Sequence, residues 1–377
     1  MGFALLMEHG GRLRNVSFWI VVILALTGCT GTDGRFMIDP GSGGNTLQNA
    51  GDRVLGMDFA DAAETGSVQA NFSLARTAAV GALVISIPWT AVETAPMAYT
   101  DPSGMFAALN AALPLEGFFL SLTVAAVDRT GLTVPSDLAG VAFDDPSFIA
   151  RYNAMLAYVH GLLPNVRILY LGLGNEVDRY TPPMASFWSE FAGLLQGVRG
   201  YIGPLEPGVK VGASATYAGL VQSRKDDLKI LNQQSDIVAF TYYPVNADFT
   251  VKPARATETE VPEVFAIYPG RDVSLHETGF PSGSLNGSSE DKQSVWVREL
   301  FRVWDTKKDR WKFTNLVRLH DWDLGRAQTV AGNSPYSSNH PIIVEFLRTL
   351  GLRSYSLGGA DKTALHTLRL ETSSRGF

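Results

Sequence analysis

The chain is predicted to fold as an α/β protein, a (β/α)8 TIM barrel, on three observations. Short apolar runs alternate with longer helix-spaced patterns from Val54 onward. Eight such runs can be counted, and each is close to continuously apolar, as parallel strands buried on both faces are. No Gly-rich nucleotide loop follows the first run, which argues against the runner-up, an open doubly wound sheet. A length of 377 residues suits one large barrel, and 46% hydrophobic with 18% charged residues suits a sizeable packed core.

At the N-terminus, Arg12 and Arg14 form a basic stretch, followed by an apolar run from Val16 to Leu26. The run is shorter than the roughly 20 apolar residues a spanning helix needs. It ends in Leu26-Thr27-Gly28-Cys29, which resembles the bacterial lipobox. That resemblance implies a signal peptide over residues 1–28, lipidation of Cys29, and a membrane-anchored place in the cell envelope on its periplasmic or outer-surface face. The plainer alternative is an ordinary secretory signal with an incidental cysteine. Cys29 is the only cysteine, so an internal disulfide framework, a Cys-based zinc site and a Cys-x-x-Cys redox pair are excluded. Thr30 to about Asp52 is rich in Gly, Thr, Asn and Asp without periodicity and reads as a flexible tether over residues 29–52. Residues 53–377 then form one domain, with no repeat and no second boundary.

The predicted strands are Val54–Ala60, Ala82–Trp89, Gly117–Val127, Arg167–Glu176, Val209–Tyr217, Asp236–Val245, Asp272–Gly279 and Asn315–Trp322. Between them, Pro146–Leu163 and Met184–Ile202 carry apolar residues at helix spacing. Ser288 or Ser289 can cap a helix that opens with Glu290 and Asp291 and buries Val295, Val297, Leu300, Phe301 and Trp304. After the eighth strand, Asp323–His340 reads as a long polar loop and Pro341–Leu350 as a helix.

Active sites of such barrels lie at the C-terminal ends of the strands. Strand four ends in Leu173-Gly174-Asn175-Glu176, and strand seven in Leu275-His276-Glu277-Thr278-Gly279. These strands face each other across the barrel mouth. Two carboxyl groups across a cleft suit glycosidic hydrolysis, one protonating the leaving group and the other attacking the anomeric carbon. The net charge of −6 and the lack of a basic run argue against a nucleic-acid partner. Trp322 and Trp89 are candidate platforms for a sugar face, Trp89 being equally suited to packing. His320, Asp321 and Asp323 share the strand-eight rim. A metal-dependent hydrolase built on His320 and Asp321 is possible, but no third ligand stands at useful spacing. His276 can face either the substrate or the helices.

The strand-four and strand-seven ends resemble glycoside hydrolase clan A, the retaining (β/α)8 glycosidases. Glu277-Thr278-Gly279-Phe280-Pro281-Ser282 is similar to the strand-seven segment of endo-β-1,4-galactanases and plant-type endo-β-1,3-glucanases. Asp236 through Pro244 resembles strand six of the galactanases, and Gly351 through Lys362 the closing segment of many clan members. The resemblance covers about Val54 to Leu370. It implies Glu176 as acid/base, Glu277 as nucleophile, carboxyl groups about 5–5.5 Å apart, and a raised pKa on Glu176. It further implies that Asn175 binds the sugar 2-hydroxyl and that Tyr242 or Tyr243 supports the nucleophile. The substrate would be a β-linked polysaccharide or oligosaccharide, with no cofactor and no metal. Many clan families carry an Arg on strand two, where Ile85-Ser86-Ile87-Pro88 offers Ser86; Arg129, Arg179 and Arg318 are the candidates to stand in. That departure motivates the alternative function, a non-catalytic sugar-binding lipoprotein on the same barrel.

Overall fold

The computed structural model describes residues 47–59, 68–182, 184–332, 340–355 and 359–377. The apolar runs form eight parallel strands: β1 (Val54–Met57), β2 (Ala82–Pro88), β3 (Phe119–Asp128), β4 (Ile168–Asn175), β5 (Lys210–Gly212, continued by Ser214–Thr216), β6 (Val238–Tyr242), β7 (Val273–Thr278) and β8 (Trp311–Leu316). β1 pairs with both β2 and β8. The ring is completed inside β5. Its first half pairs with β4 from Tyr170–Lys210 to Gly172–Gly212, and its second half pairs with β6 from Ser214–Ala239 to Thr216–Thr241. The fold is therefore the (β/α)8 barrel.

The outer helices are α1 (Val68–Thr77), α2 (Met105–Glu116), α3 (Pro146–Leu162), α4 (Phe187–Ile202), α5 (Lys225–Gln233), α6 (Ala256–Ile267) and α7 (Glu290–Thr306). In the connection after β8, α8 (Leu324–Gly332) and α9 (Pro341–Arg348) precede the eighth outer helix, α10 (Thr363–Arg375), which packs against α7. Local chemistry sets the helix starts. Asp145 accepts the Ser147 N–H at 2.7 Å to cap α3, and Pro146 occupies the first helical position, where its missing N–H is harmless. Ser289, not Ser288, caps α7 by accepting the Lys292 N–H at 3.2 Å. On that helix Trp296 lies in the buried stripe and Val295 is exposed, because 100° of rotation separates neighbours.

Most of the core lies between strands and helices. A smaller aromatic layer fills the ring itself. Tyr170 of β4 and His276 of β7 have ring centroids 3.8 Å apart, and Phe313 of β8 lies 5.4 Å from His276. Glycine makes this layer possible: a Cβ at Gly56 would strike the Phe313 ring, and one at Gly172 would strike Thr123.

Three expectations are corrected. β8 begins at Trp311 and ends at Leu316, so His320, Asp321 and Trp322 lie beyond the strand. The apolar character of Val317 and Leu319 comes from packing past the ladder, where the Leu319 N–H donates to the Asp58 carbonyl at 3.0 Å. The predicted loop Asp323–His340 contains α8, whose Ala327 and Ala331 pack on Ile343 and Val344 of α9; residues 333–339 lie outside the described ones. The end of the predicted tether is tied down. The Ala50 N–H donates to the Arg375 carbonyl at 2.8 Å, and Asp305 is shared by Arg53 at 2.9 Å and Arg375 at 2.8 Å beneath the barrel. The signal peptide, the Leu26–Cys29 motif and the rest of residues 1–46 lie outside the described residues. Among the described residues no helix is long and apolar enough to cross a membrane.

Candidate active site

The chain leaves β4 at Glu176 in a left-handed backbone conformation (φ 45°, ψ 47°). A residue bearing a Cβ is strained there by about 1–2 kcal/mol, which the surroundings must hold. The Glu176 N–H donates to the Ser214 hydroxyl at 3.3 Å. Its carboxyl accepts the Thr241 hydroxyl at 2.7 Å and faces Arg179 at 3.8 Å. Asn175 is fixed on both sides: its carbonyl oxygen accepts the Ser214 hydroxyl at 2.9 Å, and its amide donates to Asp128 at 3.2 Å. From β7, Glu277 accepts the Tyr243 hydroxyl at 3.2 Å.

The two carboxyl groups interact electrostatically. Burial raises the pKa of Glu176, while the Thr241 hydrogen bond and Arg179 act the other way. Glu277 is pushed up to about 7, first by burial and then by the charge of Glu176; Arg129 and the Tyr243 hydroxyl oppose the rise. The rise expected for Glu176 is therefore joined by one on Glu277. Two half-buried carboxyls that repel each other take up protons as a pair, the charge of one opposing ionisation of the other. The mechanism needs the proton on Glu176 with Glu277 ionised, a state favoured as the pH rises through the Glu277 value of about 7.

Arg129 answers the strand-two departure. On β2, Ser86 is exposed and bears no charge. The chain leaves β3 at Arg129, also left-handed (φ 53°), where its N–H donates to the Asn175 carbonyl at 2.7 Å. Burial works against its guanidinium charge, and Asp128, Glu277 and Glu176 more than offset that. Of the three candidates, Arg179 acts on Glu176, Arg318 lies within electrostatic reach of Glu277, and Arg129 acts on both glutamates.

Several candidates lie elsewhere. Tyr242 is buried and its hydroxyl donates to Glu260 of α6 at 2.7 Å, so it faces the helices; Tyr243 is the tyrosine at Glu277. Trp89 is fully buried against Phe148 and Tyr152, and its indole N–H donates to Glu93 at 2.8 Å. A sugar cannot stack on it. His276 belongs to the aromatic layer inside the ring, where burial lowers its pKa to about 3 and keeps it neutral. His320 is buried with Nε2 against Asn71 of α1 at 3.0 Å, and Asp321 is paired with Lys362 at 2.7 Å. These three sites are packing and ion-pair positions rather than substrate contacts. Trp322 is half-buried, with the guanidinium of Arg318 3.1 Å and that of Arg326 4.4 Å from its ring centroid. Thr241 and Ser214, which hold Glu176 and Asn175, were not among the residues the sequence singles out. Among the described residues no group of three or more His, Cys, Asp or Glu side chains is placed to hold a metal ion.

The chain matches no family model and no curated protein. Solved structures share its fold. A family 5 (subfamily 18) glycoside hydrolase from Bifidobacterium longum, in complex with Manβ1-4GlcNAc, aligns with a TM-score of 0.62 at 14% identity over 86% of this chain and 78% of that one. An exo-beta-1,4-mannosidase from an Opitutaceae bacterium aligns at 0.62 and 16% identity, over 90% and 62%. A family 39 glycoside hydrolase from Bacteroides cellulosilyticus gives 0.57 at 12% identity, over 86% and 65%. At these identities the likeness is one of fold: a ring of parallel strands with its helices outside.

Proposed function

We propose that the chain is a retaining glycoside hydrolase acting on a β-linked oligosaccharide or polysaccharide. The observation that carries this reading is the pair of half-buried, mutually repelling carboxyls at the ends of β4 and β7, with Tyr243 on one of them. Glu277 attacks the anomeric carbon to form a glycosyl ester while Glu176 gives its proton to the departing oxygen. Glu176 then takes a proton from water, and that water breaks the ester with net retention. Arg129 and Tyr243 favour the ionised nucleophile between turnovers. Asn175, fixed by Ser214 and Asp128, is placed to meet a sugar hydroxyl, and the accessible part of Trp322 to meet a sugar face. The names of the three solved neighbours, all glycosidases, agree with this assignment.

In the same reading the protein is exported and held at the cell envelope by a lipid on Cys29, for which the Leu26–Cys29 motif is the support. Metabolic labelling with palmitate tests it: label in the wild type that is lost in Cys29→Ser supports the anchor, and an unlabelled wild type refutes it.

The alternative of a non-catalytic sugar binder was motivated by the uncharged strand two, and Arg129 weakens that motive. Reducing-sugar release decides. The detergent-solubilised full-length protein and its Glu277→Ala variant would be incubated with β-1,4-galactan, β-1,3-glucan, β-mannan and acidic β-glycans. Release that disappears in the variant supports the hydrolase. Release of equal rate in both removes Glu277 as nucleophile, and binding without release favours the alternative.

A further inference from the structure

Thr241 of β6 stands between the two glutamates. Two residues before it, Ala239 packs with Tyr170 inside the ring, so alternation along the strand turns Thr241 inward as well. The pairing of β6 with β7 passes from Phe240–Leu275 directly to Thr241–Glu277, leaving His276 as an extra residue. That bulge brings Glu277 level with Thr241, where His276 would otherwise stand. On its other side Thr241 pairs with Thr216 of β5. Thr241 is 2% exposed, and its hydroxyl donates to Oε1 of Glu176 at 2.7 Å.

The two oxygens of Glu176 are therefore not equivalent. Oε1 takes the Thr241 hydroxyl, whereas Oε2 lies 3.8 Å from Arg179 Nε, beyond hydrogen-bond distance. Charged and titratable groups surround the carboxyl: Arg129 at the end of β3, Asp178 and Arg179 after β4, Tyr243 after β6 and Glu277 on β7. Among the described residues none of these donates a hydrogen bond to it, and Thr241 does. A hydroxyl can donate to Oε1 both when the carboxyl is neutral with its proton on Oε2 and when it is ionised, and the bond to the ionised form is the stronger. An acid/base passes between those two states in every turnover. Burial opposes the ionised state of Glu176, and the Thr241 hydrogen bond favours it.

Resting on the glycosidase reading, we propose that Thr241 is a positioning residue for the acid/base, its hydroxyl anchoring Oε1 of Glu176 so that Oε2 carries the proton. In the first step the Oε2–H bond breaks, and the proton goes to the glycosidic oxygen as that oxygen takes the electron pair of its bond to the anomeric carbon. In the second, the oxygen of water bonds to the anomeric carbon, the ester bond to Glu277 breaks, and the proton lost by water returns to Oε2.

Carboxyl titration by NMR tests this apart from turnover. Full-length protein with isotope-labelled glutamate carboxyls carries Glu277→Gln, so that Glu176 titrates without its coupled partner. The Glu176 signal is the one lost when Glu176→Gln is added. Thr241→Val keeps the side-chain shape without the hydroxyl, and Thr241→Ser keeps the hydroxyl. The Glu176 midpoint should rise by about one pH unit in Thr241→Val, the difference between hydrogen bonds to a charged and to a neutral oxygen, and return in Thr241→Ser. Thr241→Ala is read in the same way if Thr241→Val does not fold. An unmoved midpoint in the folded variant overturns the proposal, as does a rise that Thr241→Ser fails to reverse. With Glu277 intact, Thr241→Val should lower kcat for sugar release about tenfold and move the alkaline limb of kcat/KM upward, with Thr241→Ser near wild type. Cleavage with both kcat and limb unchanged overturns the proposal too. A raised midpoint in a protein that releases no sugar from any glycan would refute the hydrolase and spare the anchoring of Oε1. Glu277-dependent release with an unmoved midpoint would do the reverse.

Discussion

Replacing Glu277 with Gln should stabilise the protein above neutral pH. The fold raises this carboxyl from an ordinary 4.5 to about 7, by burial and by the Glu176 charge. In the unfolded chain it ionises near 4.5, whereas the folded chain keeps the proton until about 7. The folded state therefore binds more protons across that window. The stability tied to the neutral carboxyl is whole below 4.5 and is lost as the pH rises through 7. At about 1.4 kcal/mol per pH unit, the loss reaches about 3 kcal/mol by pH 8. Gln occupies the same volume, has no charge to desolvate, and can still accept the Tyr243 hydroxyl. Urea unfolding of both proteins at pH 4.5, 6, 7 and 8, with midpoint and slope fitted at each, measures the difference. It should be near zero at pH 4.5 and grow to about 2–3 kcal/mol in favour of Glu277→Gln at pH 8. An advantage that is flat with pH, or a variant less stable than wild type at pH 8, refutes the claim that this carboxyl is held against its ionisation.

Tyr243→Phe removes the hydroxyl at Glu277 and should lower kcat about 10–100-fold with little change in KM, while Tyr242→Phe should leave both within twofold and cost about 1 kcal/mol of stability. Steady-state kinetics on whichever glycan is cleaved separates the two. Trp89→Ala should cost about 3–5 kcal/mol in urea unfolding, with the kinetic constants of the folded enzyme unchanged, because it empties a packed site and leaves Glu93 without its indole donor. Lys362→Met leaves Asp321 buried without its cation and should cost about 3–5 kcal/mol at pH 8. Asp321 is raised to about 6 by burial with Lys362 holding it down, so without the cation it takes up its proton at a higher pH, and the penalty should shrink as the pH falls toward 6 and stay level below it.

The ends of β4 and β7 were legible because strands covered on both faces are almost uniformly apolar, and a terminal Asn175-Glu176 or Glu277 stands out against them. Facing was harder to read. Tyr242 and Tyr243 are adjacent, so one must point inward, but the pairing of β6 with β7 shifts register between Phe240 and Thr241 and carries the phase with it. Trp89 ends an apolar run whichever way it points; in the structure it opens a single helical turn, Trp89–Val92, that directs it into Phe148 and Tyr152. The β8 register slipped because Leu316, Val317 and Leu319 continue an apolar pattern that the ladder does not. Arg129 was one of three candidates, and only its left-handed exit from β3 brings it to both glutamates.

The grip of Arg53 and Arg375 on Asp305 brings the two ends of the described chain together beneath the barrel, at the opposite end from the glutamates. A bead, a fusion partner or an array scaffold joined at Phe377 would hold the molecule from behind, leaving the cleft open to a long polymer. The same closeness makes residues 47–377 a candidate for circular permutation, since a short linker could join Leu47 to Phe377 and new ends could be opened in an exposed helix connection.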